Sequence, residues 1–259
     1  MKVILSPAKS INEEIDCSHA KVSQHRFQDE SQRLAGKLKK LSARQIKKLM
    51  NVSDDLAELN HQRYQDWSLP FDQSNAFPAA YIFTGAAYQT LDYPSLSQQE
   101  QEVGQKKLRI LSGLYGLLRP LDLIQSYRLE MGTSFKVTPK VTNLYKFWGD
   151  KILNELQEEL QHDGDEVLVN AASNEYAKAA ILKKIETPII TTVFKDKAKD
   201  GSYKVNMQFA KQARGSMARF IIQNDLSKAE ELKAFDTDGY FFSPKDSSEE
   251  EFVYLRDKK

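Results

Sequence analysis

Apolar and polar positions alternate in two rhythms along this chain. Short apolar or β-branched runs at Val3–Leu5, Ala80–Thr84, Val167–Ala171, Pro188–Phe194 and Ser202–Phe209 have the length and composition of strands, with edge pieces at Phe241 and Phe252–Leu255. Helical spacing fills the intervals. From about Phe27 to Trp67 the pattern is helical, with Leu34, Leu38 and Leu41 on one face. Ser42 and Gln45 form a capping box that opens the next helix, and Ser53 caps a third that carries Leu56, Leu59 and Tyr64. Further helices are expected at Ser97–Leu111, Leu144–Gln161, Asn174–Lys184 and Phe209–Asn224, and Asp200-Gly201 has the form of a hairpin turn. The alternation predicts an α/β fold: a single compact domain over residues 1–259, with a mixed β-sheet surrounded by helices.

Composition narrows the function. The chain has 259 residues, 41% of them hydrophobic and 28% charged, enough to bury a sizeable core. The lone Cys17 excludes an intrachain disulfide framework and multi-cysteine metal sites, which favours a reducing compartment. The opening MKVILSPAKS has too short an apolar run for a secretory signal, and no run has the length of a membrane span. A cytoplasmic, membrane-free protein is expected. The net charge of +1 hides a block pattern. Residues 1–50 and 175–223 are net positive, whereas 51–174 and 224–259 are net negative. Such blocks either fold into one cationic face or interleave and cancel.

Candidate chemistry lies first at strand ends, where α/β sheets gather ligands. Val3–Leu5 runs into Ser6-Pro7-Ala8-Lys9, and the strand ending near Val169 runs into Asn170-Ala171-Ala172-Ser173-Asn174-Glu175-Tyr176, then Lys178. Ser173 is a natural N-cap whose neighbouring amides suit either an anion or simple capping. On the helix Phe209–Asn224, Lys211, Arg214 and Arg219 make a cationic ridge or a solvated face. Gly215 within it implies close approach by backbone or ligand.

The decapeptide LSGLYGLLRP, Leu111 to Pro120, ends an apolar bend on a fixed positive charge. A hairpin between two short helices over Leu108–Leu123 would present amides around Gly113 and Gly116, flanked by Arg109 and Arg119, to a nucleic-acid phosphate. The alternative is an internal cluster in which Arg119, Arg128, Asp122 and Glu130 satisfy one another. Acids, a tyrosine and arginines mingled in this way also suit general acid–base chemistry on a nucleotide or nucleobase, with Glu130, Glu175 and Tyr176 as catalytic candidates. His19, His25, His61 and His162 show no ligand spacing, and the acidic pairs Glu13-Glu14 and Glu249-Glu250-Glu251 read as solvated charge. There is no P-loop or Rossmann glycine pattern, so neither metal nor cofactor is expected.

The chain resembles the YaaA family of bacterial peroxide-stress-resistance proteins nearly end to end. Ser6-Pro7-Ala8-Lys9 matches the family's SPAK, and LRILSGLYGLLRPLDLIQSYRLEMG, Leu108 to Gly132, matches its central run. LYKFWG at Leu144–Gly149, VNAASNEY at Val169–Tyr176, the helix Ala210–Ile222, and GYFF at Gly239–Phe242 with Ser247-Ser248 complete the likeness. The resemblance implies a cytosolic protein that lessens oxidative damage by limiting free intracellular iron. It also implies binding of duplex or branched DNA through a cationic cleft with a helix-hairpin-helix element. Phosphate contacts would fall to Lys9, Arg109, Arg119, Arg128, Lys178, Lys211, Arg214 and Arg219, assisted by backbone around Gly113, Gly116 and Ser173. Two segments depart from the family: Ser53-Asp54-Asp55-Leu56-Ala57, where SDKLA is common, and Phe83–Leu91, where FKGDVYxGL is common. The helix pair Gln45–Asn60 is a second place for the hairpin.

Overall fold

The computed structural model describes residues 1–257. Its strands in chain order are β1 (Lys2–Leu5), β2 (Ser23–Gln24), β3 (Phe77–Pro78), β4 (Leu108–Ser112), β5 (Gly116–Leu118), β6 (Asp122–Ile124), β7 (Leu168–Asn170), β8 (Ile189–Lys197), β9 (Tyr203–Lys204), β10 (Tyr240–Phe242) and β11 (Glu251–Arg256). The α-helices are α1 (Gln28–Leu38), α2 (Ala43–Met50), α3 (Asp54–Asp66), α4 (Ala79–Ile82), α5 (Ala86–Leu91), α6 (Gln98–Lys107), α7 (Leu144–Trp148), α8 (Lys151–His162), α9 (Asn174–Ala179) and α10 (Met207–Gln223).

A mixed sheet runs in the order β10-β11-β8-β7-β1-β4-β5, with β9 pairing β8. The strands β1, β4, β7, β8 and β11 run parallel. A three-stranded sheet, β2-β6-β3, stands apart. Val3 of β1 sits opposite Leu108 of β4 on one side and Val169 of β7 on the other. The fully buried and mostly apolar runs of β1 and β4 follow from this placement, because helices cover both faces of central parallel strands. The capping box at Ser42, the cap at Ser53 and the Asp200-Gly201 turn between β8 and β9 all form as the sequence predicts.

Four expectations are corrected. Ala80–Thr84 is not a strand: Ala79–Ile82 coils into α4 with all four residues buried, since a short apolar run carries no periodicity of its own. The helix from Ser97 stops at Lys107, and Leu108–Ser112 becomes the strand beside β1. The Leu108–Leu123 segment is therefore a β-hairpin, with Ile110 opposite Leu118, and not a helical one. Gly113 and Gly116 are buried in its turn and present no amide to a ligand. Gly116 adopts φ +73 under Trp148 and Phe27, where a side chain would collide. The expected strand Ser202–Phe209 shrinks to β9, because Asn206 caps α10 through the amides of Gln208 and Phe209.

Several cations of the sequence pattern are consumed by the fold. Arg109 is 3% exposed, and Glu159 of α8 takes its Nε at 2.7 Å and its Nη2 at 3.0 Å. Arg26 joins the same carboxylate and also reaches Glu155 at 2.8 Å. Burial alone would raise the Glu159 pKa, but hydrogen bonding and charge from Arg109, with Arg26 behind it, hold it below 4.5. Arg119 turns back onto Asp122, Nε to Oδ1 at 3.1 Å, and onto the carbonyl of Gln24 at 3.2 Å. The charge that ends LSGLYGLLRP thus pins its own turn.

α10 lies against α5 so closely that a Cβ on Gly215 would stand 1.8 Å from the carbonyl oxygen of Ala87 and 2.4 Å from Thr90 Oγ1. Gly215→Ala is expected to lower stability by about 1–3 kcal/mol in denaturant unfolding, despite alanine's better helix propensity. Gly36→Ala in α1, where the new Cβ meets nothing within 4 Å, is expected to raise it by up to about 1 kcal/mol. Glu159→Gln leaves Arg109 buried without its counter-charge and is expected to cost about 3–5 kcal/mol at neutral pH. The depressed Glu159 carboxyl contributes stability that is complete above its unfolded pKa near 4.5 and is lost as pH falls through the lower folded value. Acid unfolding of Glu159→Gln is accordingly expected to be flatter than that of the native chain in this window.

Candidate ligand-binding site

The chain leaves β1 for β4 on one side, while β7, β8 and β11 build outward on the other. The gap between β1 and β7 is therefore a topological switch point, where loops diverge beyond the carboxyl ends of the strands and leave a crevice. A cavity of about 580 Å³ occupies this position. Its floor is Leu5 and Ser6 after β1, with Ala171 and Ser173 after β7. Its walls are Thr84–Gln89 leading into α5, the segment Tyr127–Glu130, and the face of α10 that carries Met207, Gln208, Lys211 and Arg214.

The floor is held by backbone and hydroxyl contacts. Ser6 Oγ accepts the Ser173 amide at 2.9 Å and donates to Ser173 Oγ at 3.2 Å, and Tyr88 donates its hydroxyl to the Ser6 carbonyl at 2.9 Å. The Ser173 amide is therefore committed to Ser6 and not free for an anion, and the Ser173 side chain makes no capping bond to α9. Gly85 presses on the SPAK loop, since a Cβ there would come within 2.9 Å of Ala8 Cβ.

The charges fall into two groups. Glu130 is shared by Lys9 at 2.6 Å and Arg128 at 3.4 Å. Glu175 takes the Gly132 amide at 2.7 Å, so this carboxylate steers the loop that follows Glu130. Tyr176 is buried at the wall, and its hydroxyl is pushed well above the usual tyrosine pKa by burial and by neighbouring Tyr127 and Glu175. It stays a neutral donor or acceptor at any ordinary pH. Arg214 differs from all of these. Its Nε is fully enclosed and bonded to nothing, and burial pushes its pKa below the ordinary arginine value. Among the described residues no carboxylate pairs with it. Arg128 Nε is likewise enclosed and unbonded.

Of the residues marked in the sequence, Lys9, Arg128, Glu130, Ser173, Glu175, Tyr176, Lys211 and Arg214 meet at this cavity. The others do not. Arg109 and Arg119 are spent on Glu159 and Asp122, and Gly113 and Gly116 lie in the buried turn. Lys178 rests over the Tyr145 ring at 4.8 Å. Arg219 closes the end of α5, donating to the carbonyls of Leu91 at 2.8 Å and Asp92 at 2.9 Å. Sequence reasoning missed the Thr84–Gln89 wall and Met207. The available signal was Gly85, a glycine needed for loop-on-loop contact. Among the described residues no cluster of His, Cys, Asp or Glu side chains is placed to hold a metal ion, and no helix is long and apolar enough to cross a membrane.

Comparison with known proteins agrees with the motif pattern. The family model described as peroxide stress protein YaaA matches residues 1–246. A UPF0246 protein of Aliivibrio fischeri strain MJ11 is 48% identical over 259 residues, covering 100% of this chain and 99% of its own length. A UPF0246 protein of Hahella chejuensis is 48% identical over 257 residues, covering 99% of this chain and 100% of its own. One from Idiomarina loihiensis is 46% identical over 256 residues. With the match running through both strand-end loops and through α10, the chain belongs to the peroxide stress protein YaaA family.

Proposed function

We propose that this member of the peroxide stress family acts by binding a phosphorylated, nucleotide-sized small molecule in the cavity between β1 and β7. The observation that carries the reading is Arg214. Its Nε is enclosed without a partner while the side chain borders the cavity with no carboxylate beside it, an arrangement that favours an incoming anion able to supply the missing charge. Lys211, one turn before Arg214 on the helix, adds a second cation at the same wall. Across the cavity, Glu130 sits between Lys9 and Arg128 and is the group placed to move a proton on a bound nucleotide or nucleobase. Glu175, tied to the Gly132 amide, orients the loop instead. On this reading any effect on free iron is indirect.

Nonspecific DNA contact is a second reading, favoured by a different surface. Helices α2 and α3 form a hairpin through Asn51, which adopts φ 51, then Val52 and Ser53. Lys37, Lys39, Lys40, Arg44 and Lys48 are exposed beside it. This is the second hairpin position of the sequence pattern. The first is excluded by its β-structure, and the wall imagined from Arg109 to Arg219 is broken up by internal pairing.

Calorimetric titration with adenosine monophosphate and with inorganic phosphate tests the first reading. Arg214→Met is expected to weaken binding about tenfold or more, the scale of a charge-assisted hydrogen bond. The same variant is expected to unfold at equal or higher denaturant, because a partly desolvated cation with an unbonded Nε is gone. Unchanged affinity in the variant, or no binding of either probe by the native chain, overturns the proposal. For the second reading, duplex affinity is expected to fall with salt at a slope of about 0.9 per phosphate contacted. Replacing Lys39, Lys40 and Arg44 together should flatten that slope by about 2–3. An unchanged slope removes this surface.

A further inference from the structure

The chain contains five methionines: Met1, Met50, Met131, Met207 and Met217. Four are buried, Met131 and Met217 completely and Met1 and Met50 at 5% and 9% exposure. Met207 is 66% exposed, the highest among the exposed large hydrophobic residues. The single thiol offers no competing target. Cys17 is buried, and its pKa is raised by burial and by Asp16, so reactive thiolate is scarce. Oxidation of sulfur follows exposure and, for thiols, thiolate character. The sulfur open to a dissolved oxidant is therefore concentrated in one side chain.

That side chain has a particular place. Met207 opens α10, and Lys211 and Arg214 follow it at i+4 and i+7, on the same stripe of the helix. All three border the cavity at the β1–β7 switch point, with Met207 at its rim. Lys211 is exposed, and its ammonium has no ion-pair partner among the described residues.

We infer that Met207 is a peroxide-modification site whose oxidation weakens anion binding in this cavity. The modification stands on exposure alone, and the control of binding rests on the cavity reading given above. In the step, a sulfur lone pair attacks one oxygen of hydrogen peroxide. The S–O bond forms as the O–O bond breaks, and sulfur is oxidised by two electrons. The departing hydroxide takes a proton, giving methionine sulfoxide and water. An apolar thioether becomes a strong hydrogen-bond acceptor one turn from Lys211. The ammonium is drawn to the sulfoxide oxygen and away from an entering anion. Sulfoxide reductases reverse the change, so the site would report peroxide without permanent damage.

The experiment treats the full chain with a few equivalents of hydrogen peroxide and maps oxygen uptake by peptide mass. Met207 is expected to react about tenfold faster or more than any other methionine and ahead of Cys17, following its exposure. Equal rates, or prior reaction elsewhere, overturn the modification site. Adenosine monophosphate is then titrated into each protein before and after treatment. The native chain is expected to bind about tenfold more weakly once oxidised, the scale of one charge-assisted contact. Met207→Leu is expected to show no change on treatment, and Met207→Gln to resemble the oxidised chain without it. Binding that is equal before and after oxidation overturns the control step and leaves the cavity reading intact. Failure of the untreated chain to bind either adenosine monophosphate or inorganic phosphate sinks the cavity reading and the control step with it, whereas the oxidation rates still decide the modification site.

Discussion

The contact between α10 and α5 at Gly215 is the constraint on which the rest of the site depends. Only a missing side chain lets these two helices come together at that spacing. Thr90 secures the crossing by donating its hydroxyl to the Gln212 carbonyl at 2.6 Å. With α10 held there, the residue just before the glycine is carried into a space that offers it no partner. The neighbouring loop is fixed by the same logic, since Gly85 lets the segment entering α5 lie on the SPAK loop. Two absent side chains thus place both walls of the cavity against the ends of β1 and β7.

Charge sorting then separates framework from function. Arg109, Arg119 and Arg219 each meet a carboxylate or a pair of backbone carbonyls and serve as internal ties. Lys2 does the same at the foot of β1, where it is buried with Asp165 at 2.9 Å and Asp163. Breaking such ties costs far more than surface pairs contribute, so they are part of how the chain holds its shape. At the crevice Lys211 and Arg214 remain without a carboxylate partner among the described residues, while Lys37, Lys39, Lys40, Arg44 and Lys48 stay exposed near α2. Arg109, Arg119 and Arg219, which the sequence pattern offered to a phosphate, are drawn into these internal ties instead.

Much of the architecture was legible in the sequence. The β-branched strands beside the sheet centre, the caps at Ser42 and Ser53 and the turn at Asp200-Gly201 follow from local chemistry that tertiary packing does not override. The errors share a cause. AAYI has no charged position and LRILS only Arg109 and Ser112 among its apolar residues, too short a pattern to give a period, so α4 and β4 could be assigned only from their neighbours. The site was legible to the extent that its residues stand at strand ends or on α10. Which arginines were free was not legible, because a partner such as Glu159 lies 50 residues from Arg109 and on another element. The hairpin at Leu108–Leu123 failed for the same reason: its glycines serve packing under Trp148 and beside Leu129, not exposure.

The Glu130 carboxylate, clasped by Lys9 and Arg128, already fills the role of an anion on its side of the crevice. A visitor reaching those two bases must displace this resident, an exchange in which a single negative charge gains little. A doubly charged group has the advantage, because it can engage Arg214 and still compete for the opposite bases. On the proposed reading, the resident carboxylate would therefore favour a doubly charged visitor over monoanions such as chloride and acetate on that side of the crevice.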